Sequence, residues 1–159
     1  MLELKQKVVP IGGFWWQLMD GSGTQLANKK SPRPKATCRA HLTSLCVGAN
    51  ATAKPSTWSR MQMYAIQGGG QGLTAQGFTD YTAEFLLTRG PYAMLGYSWC
   101  GCTNGQAFRP RAQEWDEDFG EPVGESACKE TGDGVFEREW TGATVQWDCG
   151  TGHGKITKK

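Results

Sequence analysis

The alternation of apolar and polar residues in the first two-thirds of the chain predicts three strands separated by two helices. The predicted elements are a strand at 7–19, a helix at 36–47, a strand at 60–66, a helix at 79–88 and a strand at 92–99. Thr79 or Asp80 is expected to cap the second helix, because side chains of these types accept hydrogen bonds from first-turn N–H groups. The order indicates parallel strands joined by right-handed crossovers, as in the last part of a barrel or in a small α/β sheet.

The pattern changes after Cys102. An acidic, loop-like stretch is followed over 135–148 by strict alternation, with a turn at Thr141-Gly142, which predicts a β-hairpin. Phe136, Arg138 and Trp140 lie on one face of the first strand, and Ala143, Val145, Trp147 and Cys149 form the apolar face of the return strand. We therefore predict an α/β fold: a partial (β/α) barrel made of the last strand-helix-strand-helix-strand units, followed by a C-terminal antiparallel β-hairpin. Its parts are the C-terminal part of the barrel at 1–102, an acidic loop region at 103–133, and the terminal hairpin and tail at 134–159, all in one domain.

Aromatic residues are the strongest candidates for ligand contact. The chain has seven Trp among 159 residues, which favours a surface that stacks on flat groups such as sugar rings. Because the carboxyl ends of barrel strands line the active-site face, we predict substrate contacts from aromatics near predicted strand ends and in the acidic stretch. These residues are Trp15, Trp16, Tyr97, Trp99 and Trp115. Side chains alternate along a strand, so at most half of the strand aromatics can face a ligand.

Six cysteines and the glycosylation acceptor pattern Asn50-Ala51-Thr52 favour an oxidising compartment. The start Met-Leu-Glu-Leu-Lys is not a signal peptide, and no segment reaches the ~18 apolar residues of a membrane span. We therefore expect an extracellular or secretory location for the parent protein. A chain that lacks its own front end would explain the missing signal peptide.

The disulfide pairing remains open at this point. A continuous helix would separate Cys38 and Cys46 by ~12 Å, whereas a disulfide needs less than ~7 Å between Cα atoms. We expect this pair to form with a shortened helix. Cys102–Cys128 and Cys128–Cys149 are further candidates, and buried free thiols are the alternative.

The sequence gives little support for a catalytic site or for a metal or cofactor site. An acidic cluster surrounds Trp115 and comprises Glu114, Asp116, Glu117, Asp118 and Glu121. A glycosidase needs two opposed carboxyl groups, and one loop does not supply them automatically, so a solvated loop or a cation site is the simpler interpretation. The chain shows no metal-site spacing and no cofactor motif. The basic stretch over 29–39 contains few aromatics, which favours a solvated loop over a nucleic-acid site.

Three long motifs resemble a family of predicted glycoside hydrolase-like proteins of algae and other microbes. They are AEFLLTRGPYAMLGYSWCGC at 83–102, EWDEDFGEPVG at 114–124 and KETGDGVFEREWTGATVQWDC at 129–149. Gly120, Pro122 and Gly124 match a loop of that family, and Gly134, Phe136, Arg138 and Trp140 match its terminal hairpin, where Arg138 is expected to form a salt bridge or to stack. Cys100 departs from the family pattern and leaves the disulfide scheme in doubt.

The resemblance implies a TIM-like barrel that acts on glycosidic bonds. The catalytic carboxylates of such barrels usually lie on earlier strands, so the chain is expected to be an inactive, truncated part of a glycoside hydrolase-like protein that faces carbohydrate through its aromatics. The alternative is a secreted, Trp-rich glycan-binding or structural subunit without enzymatic activity. In either case we expect a carbohydrate partner, no nucleic acid, and association through open sheet edges.

Overall fold

The computed structural model describes residues 16–20, 34–46, 61–66, 74–90, 93–97, 113–124 and 128–159. The first part contains β1 (Trp16–Asp20), α1 (Lys35–Cys46), β2 (Met61–Ile66), α2 (Ala75–Thr88) and β3 (Ala93–Tyr97). A short 3₁₀ helix (Gln113–Asp116) precedes β4 (Lys129–Gly132), β5 (Val135–Glu139), β6 (Ala143–Asp148) and β7 (His153–Lys158).

The strands form two separate sheets. The first is parallel, in the order β1-β2-β3, and the second is antiparallel, in the order β4-β5-β6-β7. In the parallel sheet Tyr64 pairs with Met19 on one side and with Leu95 on the other. Consecutive parallel strands need crossover connections, and α1 and α2 lie between them in the chain.

Helix α2 occupies the centre of the fold because it is buried on all sides. Every residue from Asp80 to Thr88 is buried. A helix that is buried all round needs a packing partner on more than one face. On one side α2 contacts β5, β6 and β7. On the other side, Phe85 meets the ring of Tyr64 edge-on at 5.3 Å, and Tyr64 hydrogen-bonds Thr88 over 3.0 Å.

The antiparallel sheet supplies the largest part of the core. Its two middle strands, β5 and β6, alternate between buried and half-buried residues, so one face points towards α2. The fully buried side chains on that face are Phe136, Trp140, Val145 and Trp147. The predicted hairpin is confirmed as β5 and β6, but it lies at the middle of a four-stranded sheet, flanked by β4 and β7. Strand β4 lies in the segment for which the sequence predicts a loop.

The prediction of a partial (β/α) barrel is wrong. In such a barrel the helices form an outer ring around one curved parallel sheet. Here α2 packs against a four-stranded antiparallel sheet, and the described parallel sheet has three strands, so the fold combines two sheets of different type. The physical reason is the apolar face of β5 and β6, which must be buried against another layer and finds it on α2.

The second helix begins earlier than the sequence predicts. Thr74, not Thr79 or Asp80, is the N-cap, and its hydroxyl accepts a hydrogen bond from the Gly77 N–H over 3.1 Å. Asp80 is fully buried one turn further on and accepts hydrogen bonds from β7. Aspartate often takes a capping position, but here Asp80 bonds a group that is distant in sequence, and the local sequence does not reveal that contact.

Two disulfides join α1 to the antiparallel sheet. Cys38 bonds Cys149, and Cys46 bonds Cys128. The predicted Cys38–Cys46 bridge is wrong, because α1 is continuous between the two cysteines and places them along one buried stripe. Pairing of Cys128 with Cys102 or Cys149 is also wrong, since Cys46 is its partner. Cys100 and Cys102 lie outside the described residues.

Candidate functional site

The parallel sheet places the two described candidate aromatics at opposite edges, meaning the edges formed by the amino ends and by the carboxyl ends of its strands. Trp16 lies at the amino end of β1, in register with Met61, and Tyr97 lies at the carboxyl end of β3, in register with Ile66. At ~3.3 Å per residue and ~4.8 Å per strand, the two positions differ by about 16–17 Å along the strands and about 10 Å across them. The sheet therefore does not bring Trp16 and Tyr97 together in one stacking platform. Trp15 and Trp99 lie outside the described residues.

The carboxyl edge of the parallel sheet also carries an acidic residue that the sequence interpretation did not select. Asp20 ends β1 in register with Ala65, and Ala65 is in register with Gly96. Asp20 and Tyr97 thus stand at the same edge with the end of β2 between them, about 10 Å apart across the strands and at positions that alternation assigns to opposite faces of the sheet. Ligands of open α/β sheets bind outside the carboxyl ends of the strands. The signal for Asp20 was present in the sequence as an acidic residue directly before Gly21-Ser22-Gly23.

The remaining described tryptophans belong wholly or partly to the core. Trp140 and Trp147 are buried on the inner face of the antiparallel sheet. Trp115, in the 3₁₀ helix, is half-buried and packs against the core. The high Trp content therefore reflects core packing at these positions, and only part of it remains as a candidate ligand surface.

The acidic cluster is engaged in structural contacts wherever its contacts are described. Glu117 forms an ion pair with Lys158 at 2.9 Å. The Asp118 carboxylate accepts a hydrogen bond from the Gly120 N–H at 2.8 Å, and the Glu121 N–H donates to the Thr141 hydroxyl at 3.0 Å. Gly120 adopts a φ of 76°, which favours glycine in this turn. In the part of the chain that the structure describes, no group of three or more His, Cys, Asp or Glu side chains can hold a metal ion.

Two buried charged side chains, Asp80 and Arg138, connect α2 to the antiparallel sheet. Asp80 accepts hydrogen bonds from the Gly154 N–H at 2.9 Å and from the Gln76 amide at 2.8 Å, and the Nδ1 atom of His153 lies 3.2 Å from it. His153 begins β7. Its side chain is 47% exposed, but one ring nitrogen faces the buried carboxylate.

Arg138 holds the other end of α2. Its Nη1 atom donates to the carbonyl oxygens of Leu86 at 3.0 Å and Arg89 at 2.7 Å, and its guanidinium stacks over Trp140 at 5.0 Å. Burial lowers the pKa of Arg138 to about 10, and the nearby charge of Arg89 lowers it in the same direction. At neutral pH the group stays protonated and can stabilise the negative end of the helix dipole. The stacking expected for Arg138 is present, and its role is structural.

Among the described residues, no helix has both the length and the apolar character needed to cross a membrane. The two disulfides point to an extracellular or secretory environment. Comparison with protein-family models found no match to this chain, and a search of curated proteins found no match either.

Proposed function

We propose that the chain is a non-catalytic carbohydrate-binding domain of a secreted, glycoside hydrolase-like protein, and that it binds at the carboxyl edge of the parallel sheet. The observation that carries this proposal is the position of Tyr97 and Asp20 at that edge, where a ligand lying across the carboxyl ends of the strands meets residues of both faces. An aromatic ring can stack on the apolar face of a pyranose, and a carboxylate accepts hydrogen bonds from sugar hydroxyls. The resemblance of residues 83–149 to the glycoside hydrolase-like family supports a carbohydrate as the ligand.

The acidic residues form ion pairs and hydrogen bonds within the fold, and this favours a binding role over hydrolysis. Hydrolysis requires two carboxyl groups about 5 Å apart for retention or about 6.5–9.5 Å apart for inversion. Glu117 and Asp118 are instead occupied by Lys158 and by a turn N–H, and buried Asp80 is hydrogen-bonded within the fold. Asp20 is the one acidic residue at the proposed edge that lies on a described strand.

Binding of defined oligosaccharides, screened on a glycan array and measured by calorimetry, tests this proposal. We expect wild-type binding that weakens about tenfold in Tyr97→Ala, the loss of roughly 1.4 kcal/mol of stacking. Asp20→Asn should also weaken binding, because a carboxylate is a stronger acceptor than an amide. Reducing-end assays on each bound glycan should detect no cleavage.

Trp16→Ala is the matched control, because Trp16 lies at the opposite edge of the same sheet. It should leave the affinity unchanged while its circular dichroism matches that of the wild type. Absence of binding to any glycan would refute the proposal. Loss of binding in Trp16→Ala but not in Tyr97→Ala would place the site at the other edge, and cleavage of a bound glycan would show that the domain is catalytic.

A further inference from the structure

The four sheet-edge strands of the described fold differ in charge. The antiparallel sheet ends in β4 and β7, which carry exposed Lys129, Glu130, Lys155 and Lys158. Charged side chains, lysine above all, are a common protection against pairing with another chain. In the parallel sheet, β1 ends in Asp20, whereas β3 has the sequence AMLGY and no charged residue or proline. Of these four strands, β3 alone lacks a charge.

Strand β3 also has one neighbour, β2, among the described residues. Met94 is 48% exposed on it, which makes it one of the two large apolar side chains that the described surface exposes, together with Val123. Ala93 and Leu95, which alternate with Met94, pack against the core. Met94 and Gly96 therefore share the face of the strand that points away from the core.

Gly96 leaves an open position on this face. Among the described residues, no heavy atom lies within 4 Å of a Cβ atom built on Gly96, so neither crowding by them nor a left-handed backbone requires glycine here. A glycine inside a strand often marks a place where another backbone or a ligand approaches closely. The exposed methionine and the open glycine are two residues apart on the same strand and the same face.

We propose that β3 is a self-association edge through which two copies of this chain pair as antiparallel strands about a twofold axis at Leu95. A twofold axis makes every contact reciprocal, so residue 94 of each copy opposes residue 96 of the other. Each exposed Met94 then covers the open position at Gly96 of the second copy, and Ala93 opposes Tyr97. No charges are brought into opposition, and the two three-stranded sheets become one six-stranded sheet.

The other edges fit a twofold pairing less well. Pairing β7 about its centre would oppose Lys158 to His153, and Lys155 would enter the new ladder. Pairing β1 about Leu18 would oppose Asp20 to Trp16 and bring a carboxylate into the ladder. We therefore assign the pairing edge to β3, because it carries no charge and because the long side chain of Met94 lies opposite Gly96.

Analytical ultracentrifugation of the full chain between about 1 µM and 1 mM tests the proposal. We expect a concentration-dependent monomer–dimer equilibrium for the wild type. Met94→Lys should raise the dimer dissociation constant at least tenfold, because the two new lysines lie diagonally across the pair and repel each other. Val123→Lys adds the same charge at the other exposed apolar residue, in a loop that hydrogen-bonds the end of β5 and is not part of β3, and should leave the constant unchanged.

Mixing two variants tests the register itself. Gly96→Glu, like Met94→Lys, should weaken self-association through like-charge repulsion, and the open position at Gly96 allows the monomer to fold. An equimolar mixture should form a heterodimer in which Lys at 94 faces Glu at 96, at concentrations where each variant alone is monomeric. A wild type that stays monomeric at 1 mM, a dimer unaffected by Met94→Lys, or a mixture that does not associate would each overturn the proposal.

Discussion

The contact between α2 and β7 allows only glycine at position 154. A Cβ atom on Gly154 would lie well inside van der Waals contact with the Cβ of Ala83 and 3.2 Å from the Trp147 ring. Gly154 is not among the glycines with positive φ, so packing and not backbone conformation imposes the requirement. We predict that Gly154→Ala destabilises the protein by about 1–3 kcal/mol, the usual cost of overpacking a core.

Ala83→Gly provides the matched compensation. Alone it should cost about 2 kcal/mol, since a glycine inside a helix costs about 1 kcal/mol and a buried methyl group contributes about 0.8 kcal/mol. In the double variant the methyl group of residue 154 occupies the space that Ala83 vacates. The double variant should therefore cost about as much as Ala83→Gly alone, which gives a favourable coupling of roughly 1–3 kcal/mol.

Urea unfolding followed by circular dichroism and tryptophan fluorescence measures these free energies. Gly132→Ala is the control, because its added Cβ would meet Val135 at ordinary contact distance and should change stability by less than about 0.5 kcal/mol. If the Gly154→Ala and Ala83→Gly costs add within about 0.5 kcal/mol, the close contact between α2 and β7 does not exist in solution.

Three further predictions concern the contacts that join the layers. Arg138→Lys should cost about 2 kcal/mol in urea unfolding, because an ammonium group cannot stack on Trp140 as the planar guanidinium does while it also bonds the carbonyls that Nη1 reaches; an unchanged midpoint would contradict this role. Replacing Cys38 and Cys149 by Ala should lower stability by about 2–4 kcal/mol, and equal stability would show that α1 docks without the bond. Burial raises the pKa of Tyr64 to about 12, so the unfolded chain loses the phenol proton first as pH rises from 10 to 12. Stability should fall over that interval, less steeply in Tyr64→Phe, and parallel curves would refute the assignment.

The local patterns predicted most elements and missed how they combine. The helix around Cys38, the strand that contains Tyr64 and the hairpin around Trp140 follow from spacing and alternation, because these signals depend on residues close in the chain. The N-cap at Thr74 was missed because Asp80 is of a residue type that often caps helices. In the structure Asp80 instead accepts a hydrogen bond from β7. Strand β4 is exposed along its length and carries no alternation to reveal it.

The sequence could predict which aromatic residues are candidates for the site, but it could not predict which of them lie at the same edge of the sheet. Trp16 and Tyr97 both lie near predicted strand ends, and only the register of three strands assigns them to opposite edges. The same register brings Asp20 to the edge of Tyr97. Residue type alone likewise could not distinguish Trp140 and Trp147, which are core residues, from tryptophans available to a ligand.

By itself, the sequence determined the alternating faces, the two helices and the turns, because these depend on interactions over a few residues. It also gives the content of cysteine and tryptophan directly. Only the tertiary structure decided that α2 lies beneath an antiparallel sheet and that Cys38 and Cys46 each bond a distant cysteine. The partners in these disulfides are 111 and 82 residues apart in sequence. Such pairings depend on which apolar faces meet when the layers pack, and no local spacing encodes that choice.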